Sequence, residues 1–544
     1  MSKNYRIDIL QPFLWLTQIH HMLKQKIYTT NRSISDHLFV LYGIVNDVMK
    51  GNAAPIDIQT IDIHKCFDEM WYSETHNDIY DAKVTDDKFA LLAKLDEKAT
   101  VKVKTPCGET EMFELNKLII QGGVFSPIKC TVQIDTLGKD CLKYNECLYK
   151  YKNTVSVPPL ALIDDVVAVT KSGIDTIEMN AKINMKMESK KLRLSADKCK
   201  HIHIARNKSE SFIDLKVHEE KMKKSESCSY LGDVLSSDGS LDLTIEERRQ
   251  KGVGLTTQIT AMVNQLSLGH FYYKIGFMLR NCMYINGTLT NSEIWYNVST
   301  KNLETLEKGD LMLIRKLLKG HSKTAREAFY LETGLLPTKF IVLKRKLMYL
   351  WHLLQKDDNE LIKKVYDTQK VVSTKGDWVE ALDKERKELN INASDEDIAK
   401  MTKDCFKTLV TNAIEAKALE SLNSTASRHS KSTEIIKKKL SCEKYFTDQS
   451  YHKSDVELLF ALRTRMIQVK ANFSSQHKDD IACDVCKVHV ECQEHLLKCH
   501  VLKNHVEIPD DVQYRDLFED GEKQLRTVKV FKKLFRKREI LMKS

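Results

Sequence analysis

Three aspartates and one cluster of cysteines and histidines are the residues of this chain whose types and spacing could do chemistry. Asp164 and Asp165 stand between two apolar, β-rich runs, Leu160 to Ile163 and Val166 to Val169. Two short strands around two turn residues read as a β-hairpin. Two like charges ~4 Å apart repel by roughly 4 kcal/mol at a mid-range protein dielectric, and a cation relieves that repulsion. Taken alone, the pair reads as an ordinary solvated turn. Asp62 ends a second strand-like stretch, Ile56 to Asp62, 102 residues before Asp164. An unpaired carboxylate amid such apolar neighbours is costly. Were the two stretches neighbours in one sheet, three carboxylates would converge and could hold two divalent cations ~4 Å apart. Oxygen ligands favour magnesium. One ion would sharpen an attacking 3′-hydroxyl and the other would steady a pyrophosphate leaving group, as nucleotidyl transfer requires.

The second set is Cys483, Cys486, His495 and Cys499. Two short knuckles joined by an eight-residue loop suit one tetrahedral zinc ion with thiolate and imidazole ligands. Cys492, His489 and His500 lie close enough in sequence to be alternative ligands. The bland reading is a helix with incidental cysteines.

Composition bounds the setting. The chain has 544 residues, 42% hydrophobic and 29% charged, ordinary for a globular protein of two to four domains. Its start lacks an apolar signal core, and no run approaches the ~20 apolar residues of a membrane span. The fourteen cysteines are therefore expected to be thiols or metal ligands. The net charge of +10 is concentrated: residues 300–355 hold eleven Lys/Arg against five Asp/Glu, and 523–543 hold nine against one. Two basic regions on a near-neutral body suit a polyanion such as nucleic acid.

The positioning elements follow in order. Residues 1–50 read as helical, with a cap at 31–36 before a second helix. A strand over 56–62 leads to a helix carrying Met70, Trp71 and Tyr80. A hairpin is expected over 100–115, then the glycine loop Gln121-Gly122-Gly123, then a helix started by Ser126-Pro127. After the Asp164–Asp165 hairpin, Ile174, Ile177, Ala181 and Met185 repeat at helical spacing. Leu192 to Lys198 is a turn. His201 to Ile204 alternates as a strand, with its histidines expected outside. Tyr230 to Leu235 reads as one more strand. From about 241 the pattern is nearly all helical, with an amphipathic helix on Leu303, Leu306, Leu313 and Leu317. A capping-box helix starts at Ser394 and carries Ile398, Met401, Cys405 and Leu409, and a Ser/Thr-rich loop spans 421–432. At the C-terminus Leu525, Val528, Phe531 and Phe535 stripe a basic helix that either meets phosphates or packs back on the body. No zinc-protease, Walker or Ser-His-Asp pattern competes.

The motifs Asp62-Ile63-His64-Lys65-Cys66-Phe67, Gln121 to Pro127, Ile163-Asp164-Asp165, Leu192 to Lys198 and Tyr230-Leu231-Gly232 occur in this order. Together they resemble the successive palm motifs of a non-LTR (LINE or jockey-like) retrotransposon reverse transcriptase, over about residues 30–355. The resemblance implies that Asp62, Asp164 and Asp165 are catalytic, magnesium-binding acids. It implies that Phe67 is an aromatic gate against the 2′-hydroxyl, and that Gln121 and Gly122 line the nucleotide and template pocket. Lys198 would protonate or neutralise the leaving pyrophosphate, and Tyr230-Leu231-Gly232 would grip the primer. Leu162-Ile163 and Cys66 depart from the residues usual in the family. Family members also carry long basic fingers and an upstream endonuclease, so the resemblance implies an N-terminally truncated copy. Similar Cys-Cys-His-Cys knuckles close many such enzymes and commonly serve single-stranded nucleic acid.

The expected fold is therefore α+β. It comprises residual helical fingers (1–55), an antiparallel reverse-transcriptase palm (56–240), a helical thumb (241–355), a helical connection (356–475), a zinc knuckle (476–505) and a basic helical tail (506–544). The expected activity is RNA-directed DNA polymerisation with two magnesium ions and one structural zinc. Its partners would be an RNA template, a DNA primer and deoxynucleoside triphosphates, with no membrane and no obligate protein partner, in nucleus and cytoplasm. The rival reading is a catalytically inactive, retrotransposon-derived nucleic-acid-binding protein. An RNA-dependent RNA polymerase is a third reading, against which Phe67 argues.

Overall fold

Strand pairing around Ile56–Asp62 organises the first of two compact units. The computed structural model describes residues 33–82, 84, 86–97, 100–106, 108–119, 126–143, 146–207, 213–266, 268–296, 298–429, 431–477 and 480–543. Unit 1 comprises residues 1–244, 294–297 and 352–383; unit 2 comprises 245–293, 298–351 and 384–544.

In unit 1, helix α1 (Ile34–Met49) begins at a reciprocal Ser33–Asp36 capping box. Its apolar residues surround the axis: Leu38, Phe39, Val40, Leu41 and Ile44 are all fully buried. A helix apolar all round belongs in a core. Strand β1 (Ile56–Asp62) follows, then α2 (Tyr72–Asp81) and α3 (Ser126–Lys143). The hairpin expected over 100–115 forms, with Thr100-Val101 paired to Phe113-Glu114 and Lys104-Thr105 to Gly108-Glu109. Next come β2 (Leu160–Leu162), β3 (Asp165–Lys171), α4 (Ile174–Ser189), β4 (Lys200–Ile204) and β5 (Lys223–Lys224). The five strands make one sheet in the order β5-β4-β1-β3-β2, antiparallel except for the β4–β5 pair. A separate hairpin, β6 (Ser227–Tyr230) with β7 (Asp233–Ser236), replaces the single strand expected over 230–235. Leu231 and Gly232 supply its turn, both at positive φ (47° and 87°), as two-residue hairpin turns favour.

One further expectation is corrected inside this sheet. His201 and His203 are not outside. His201 is 2% exposed, its Nε2 lies 2.8 Å from Asp57 Oδ1, and His203 Nδ1 lies 2.9 Å from the same oxygen. Asp57 is fully buried, and the Thr176 hydroxyl donates to its Oδ2 at 3.0 Å. Register explains the cluster, because Asp57 pairs with His203 on β4 and with Thr170 on β3. The cluster also orients α4. Thr176 is the foot of α4, and tying it to Asp57 turns Met179, Ile183 and Met187 onto the sheet. Ile174, Ile177, Ala181 and Met185, which repeat at helical spacing, face solvent.

Unit 2 is mainly helical, with no strand among its described residues beyond a single Ala482–Val490 bridge. Helix α5 (Thr300–Leu318) buries Leu306, Leu313, Ile314 and Leu317 as its spacing predicts. It is followed by α6 (Arg326–Thr333). The Ser394 capping box starts α7 (Asp395–Lys400), but the helix breaks at Met401 and a new N-cap, Thr402, starts α8 (Lys403–Ala426). Cys405 and Leu409 thus lie on a different helix from Ile398, and residues 421–426 are helical rather than loop. Then come α9 (Lys453–Arg463), α10 (Gln493–Lys498) and α11 (Glu522–Lys543). Two buried ion pairs tie these helices. Arg280 forks onto Asp310, and Arg463 Nε lies 3.0 Å from both oxygens of Glu332. Such pairs fix geometry more than they add stability.

Burial alone would raise the Asp57 carboxyl, but the bonds from His201 and His203 outweigh it and bring its pKa down to about 2. A depressed folded-state pKa contributes stability above the unfolded value, near 4, and loses it as pH falls toward the folded value. The difference is worth about 2 kcal/mol. Urea unfolding at successive pH values should show stability declining between about pH 4 and 2, with a shallower decline for Asp57→Asn. Equal slopes for the two proteins would contradict this.

Candidate functional site

The candidate site lies where β1 ends and β3 begins. Asp62 is the last residue of β1, Asp165 the first of β3, and the two are direct cross-strand partners. Residues facing each other this way share one face of the sheet, with Cβ atoms about 5 Å apart. The Asp164–Asp165 turn is shifted by one residue from its expected place. Leu162 pairs with Asp165, so Ile163 and Asp164 form the turn. Ile163 sits at φ 57°, in the left-handed region that disfavours β-branched residues by about 1–2 kcal/mol. The β2–β3 pairing holds Asp164 at the hairpin tip beside Asp165 despite that strain.

Electrostatics reflects the crowding. Burial raises the Asp165 carboxyl above the usual range, and the charges of Asp164 and Asp62 push it further the same way. The backbone of Asp62 is held from two directions. Its carbonyl accepts from Ser195 N at 2.9 Å, and its N–H donates to Cys199 Sγ at 3.3 Å. That clamp brings the 192–198 turn under the acids and sets Lys198 Nζ 3.5 Å from Asp62 Oδ2. Both groups are partly exposed, so the contact is solvent-screened and open to an anion.

Lys65, at φ 43°, ends the strand in a sharp turn into the single helical turn Cys66–Glu69. Phe67 lies on that turn, half-buried against the sheet's core cluster, and its carbonyl accepts from Ile119 N at 2.6 Å. Tyr230, 4% exposed, donates to Leu160 O at 3.4 Å, which joins the β6–β7 turn carrying Leu231 and Gly232 to the strand before the acids. Burial and then the Asp165 charge push its phenol upward. Gln121 and Gly122 lie outside the described residues.

In unit 2, Cys483, Cys486, His495 and Cys499 come together. All four are buried, with ligand atoms within 4.8 Å of one another, and no other His/Cys/Asp/Glu group among the described residues is gathered this way. A tetrahedral ion with bonds of ~2.3 Å needs ligand separations of about 3.8 Å, so the set is of the right size. Cys486 Sγ stands 3.4 Å from His495 Nε2. Cys492 is occupied otherwise: as N-cap of α10 its sulfur accepts from His495 N at 3.3 Å. Glu491, fully buried, accepts from Lys470 N, Asp484 N and Arg538 Nε. Arg538 belongs to α11, and that basic helix packs back on unit 2 through Val528, Phe531 and Leu534, which are completely buried.

Sequence reasoning missed one basic feature of unit 2. Lys323 Nζ and Lys431 Nζ stand 5.6 and 5.4 Å from the centre of the same Phe473 ring, with the His321 ring 5.2 Å from it. Neither ammonium has a carboxylate partner among the described residues. The signal is invisible in sequence because three distant segments supply it.

Residues 2–235 match the family described as reverse transcriptase (RNA-dependent DNA polymerase). A reverse transcriptase domain, the domain of RNA-directed DNA polymerases, is therefore present, and it contains Asp62, Asp164 and Asp165. No curated protein sequence matches the chain. Similar solved structures include telomerase from Candida tropicalis in complex with the TWJ fragment of telomeric RNA (TM-score 0.35, 14% identity, 66% of this chain and 56% of that one). Apo telomerase from the same organism (0.35, 13%, 69% and 61%) and Candida albicans telomerase with the TWJ fragment (0.31, 13%, 70% and 57%) are two more. The chain thus spans less than two thirds of each. Among the described residues no helix is long and apolar enough to cross a membrane.

Metal analysis of the purified chain should find one zinc ion per molecule. Cys486→Ser and Cys499→Ser should lose it, while Cys492→Ser should keep it. Loss of zinc from Cys492→Ser, or none in the parent chain, would contradict the ligand set.

Proposed function

We propose that this chain is the RNA-directed DNA polymerase of a non-LTR retrotransposon, extending a DNA 3′ end on an RNA template. The observation that carries the reading is the cross-strand pairing of Asp62 with Asp165, with Asp164 at the adjoining tip. The chemistry of the donors suits the cation such a reaction needs, although their oxygens are not drawn together as the cysteine–histidine ligands are. The donors are hard carboxylate oxygens whose mutual repulsion already raises Asp165, a cost that a divalent ion offsets. Asp62, Asp164 and Asp165 would hold magnesium. When bound, magnesium supplies activation of the primer hydroxyl and neutralisation of the leaving pyrophosphate.

The chain's own residues do the rest. Asp62 and Asp165 project from the central strands of a sheet, where the backbone cannot drift, so the reacting groups meet in a fixed geometry. Lys198, with an ammonium half in solvent, neutralises or protonates the pyrophosphate as it leaves. Phe67, anchored by Ile119, closes the space beneath the sugar so that a 2′-hydroxyl is excluded. Tyr230, Leu231 and Gly232 hold the primer strand, the tight left-handed turn letting backbone approach it. The family resemblance assigns nucleotide and template contacts to Gln121 and Gly122. The cysteine–histidine set holds a structural zinc, and Lys323 and Lys431 supply phosphate contacts of the kind that bind nucleic acid without regard to sequence.

Primer extension on an RNA template with magnesium tests the reading. Asp164→Ala should abolish extension while leaving nucleic-acid affinity within about twofold, since base and phosphate contacts lie elsewhere. Normal extension by Asp164→Ala would overturn the metal assignment. Salt-dependent binding by the parent chain without any extension would favour the catalytically inactive, nucleic-acid-binding alternative.

A further inference from the structure

Helix α4 carries an apolar stripe that nothing in the polymerase reading uses. Ile174 is 74% exposed, Ile177 52% and Met185 69%, and Ala181 between them is also exposed. Their spacings of three, four and four residues place them on one line along the helix. The opposite line, Met179, Ile183 and Met187, is already spent on the sheet. Three large apolar side chains aligned on a rigid helix mark an interaction face rather than scattered surface residues.

The charges beside the stripe specify what covers it. At 100° per residue, Asp175, Glu178, Lys182 and Lys186 all fall along one flank, acidic toward the N-terminus and basic toward the C-terminus. The other flank carries Asn180 and Asn184. Glu178 Oε2 and Lys182 Nζ lie 4.0 Å apart, so both are held at the stripe's edge. When two copies of a helix pack antiparallel, the same flank of each meets itself. Crossing near residue 180 then sets Glu178 against Lys182 of the second copy and Asp175 against its Lys186. Each contact occurs twice by symmetry, as an isologous interface requires. The same crossing sets Ile174 against Met185 and puts the small Ala181 near the closest approach. A parallel pair would bring the charged flank against Asn180 and Asn184, whose amides already donate to Lys216 O, and would form none of these intermolecular pairs; within one copy Lys182 Nζ also donates to Cys147 Sγ at 3.2 Å.

We infer that the solvent-facing stripe of α4 is a self-association surface, on which a second copy of this chain docks antiparallel. One helix stripe falls below the ~800 Å² per partner of a stable interface, so the dimer is weak, dissociating on the order of 10–100 µM. The inference is independent of the polymerase assignment.

Sedimentation equilibrium of the full chain up to about 200 µM, with and without salt, tests it. The parent chain is expected to dimerise, more weakly at high salt. Ile177→Asp should weaken dimerisation at least about tenfold, and Glu178→Lys should do so by setting like charges face to face. Both variants should unfold like the parent, because the altered groups are exposed. The swap Glu178→Lys with Lys182→Glu should restore the dimer, since the exchanged charges are again self-complementary. A chain monomeric throughout overturns the inference, as does a dimer indifferent to these substitutions or one the double swap fails to rescue. If Ile177→Asp instead loses binding to a single-stranded RNA oligonucleotide or to anionic vesicles while self-association is unchanged, the stripe belongs to that occupant and the inference also fails.

Discussion

Everything at the candidate site depends on the register between β1 and β3. Side chains alternate along a strand, so a slip of one residue would turn Asp62 to the opposite face from Asp165. No hydrophobic count alone enforces that choice, because β1 has buried residues on both faces: Ile56 and Ile58 on one, Asp57 and Gln59 on the other. What enforces it is polar. Asp57 has two imidazoles and a hydroxyl to satisfy it only when it lies opposite His203 and Thr170. In any other register a buried carboxylate would lose its partners, at a cost of several kcal/mol. A charged residue five positions before Asp62 thus locks the strand that presents it.

The same pin sets the rest of the sheet and the helix on it. Thr176 reaches Asp57 from the foot of α4, so the helix can lie on the sheet in only one rotation. That rotation buries Met179, Ile183 and Met187 and leaves the other apolar line in solvent. The clamp of Ser195 and Cys199 on the Asp62 backbone uses the next turn of chain to bring Lys198 beside the acids. Chemistry, register and surface are coupled through a few hydrogen bonds at the centre of one strand.

Much of this layout was legible in the chain. The alternation of Ile56 to Asp62, the hairpin around Asp164, the Ser33 and Ser394 caps and the stripe of α5 all arise from local rules, and local rules are readable from local sequence. The Cys483, Cys486, His495 and Cys499 spacing likewise carries its own geometry. The misreadings share one cause. His201 and His203 were expected outside because histidine is usually exposed in strands, yet Asp57, on a strand 144 residues from His201, made burial favourable. Helical spacing alone does not say which way the α4 stripe turns; the buried Asp57 carboxylate, bonded by Thr176, decides it. The turn at Ile163-Asp164 was misplaced by one because strain at a β-branched residue is not a local preference. The Phe473 cluster gathers three distant segments. In each case the register or the partners that decide the outcome lie outside the local pattern.

The most direct measurement of the central claim is iron-directed backbone cleavage. Ferrous ion replaces magnesium at clustered carboxylates, and with ascorbate and peroxide it generates hydroxyl radicals that cut the nearest peptide. If Asp62, Asp164 and Asp165 share one ion site, the chain should be cut both near residue 62 and near residues 164–165, and excess magnesium should suppress both cuts together. Cleavage at one position without the other, or at neither, would contradict the account.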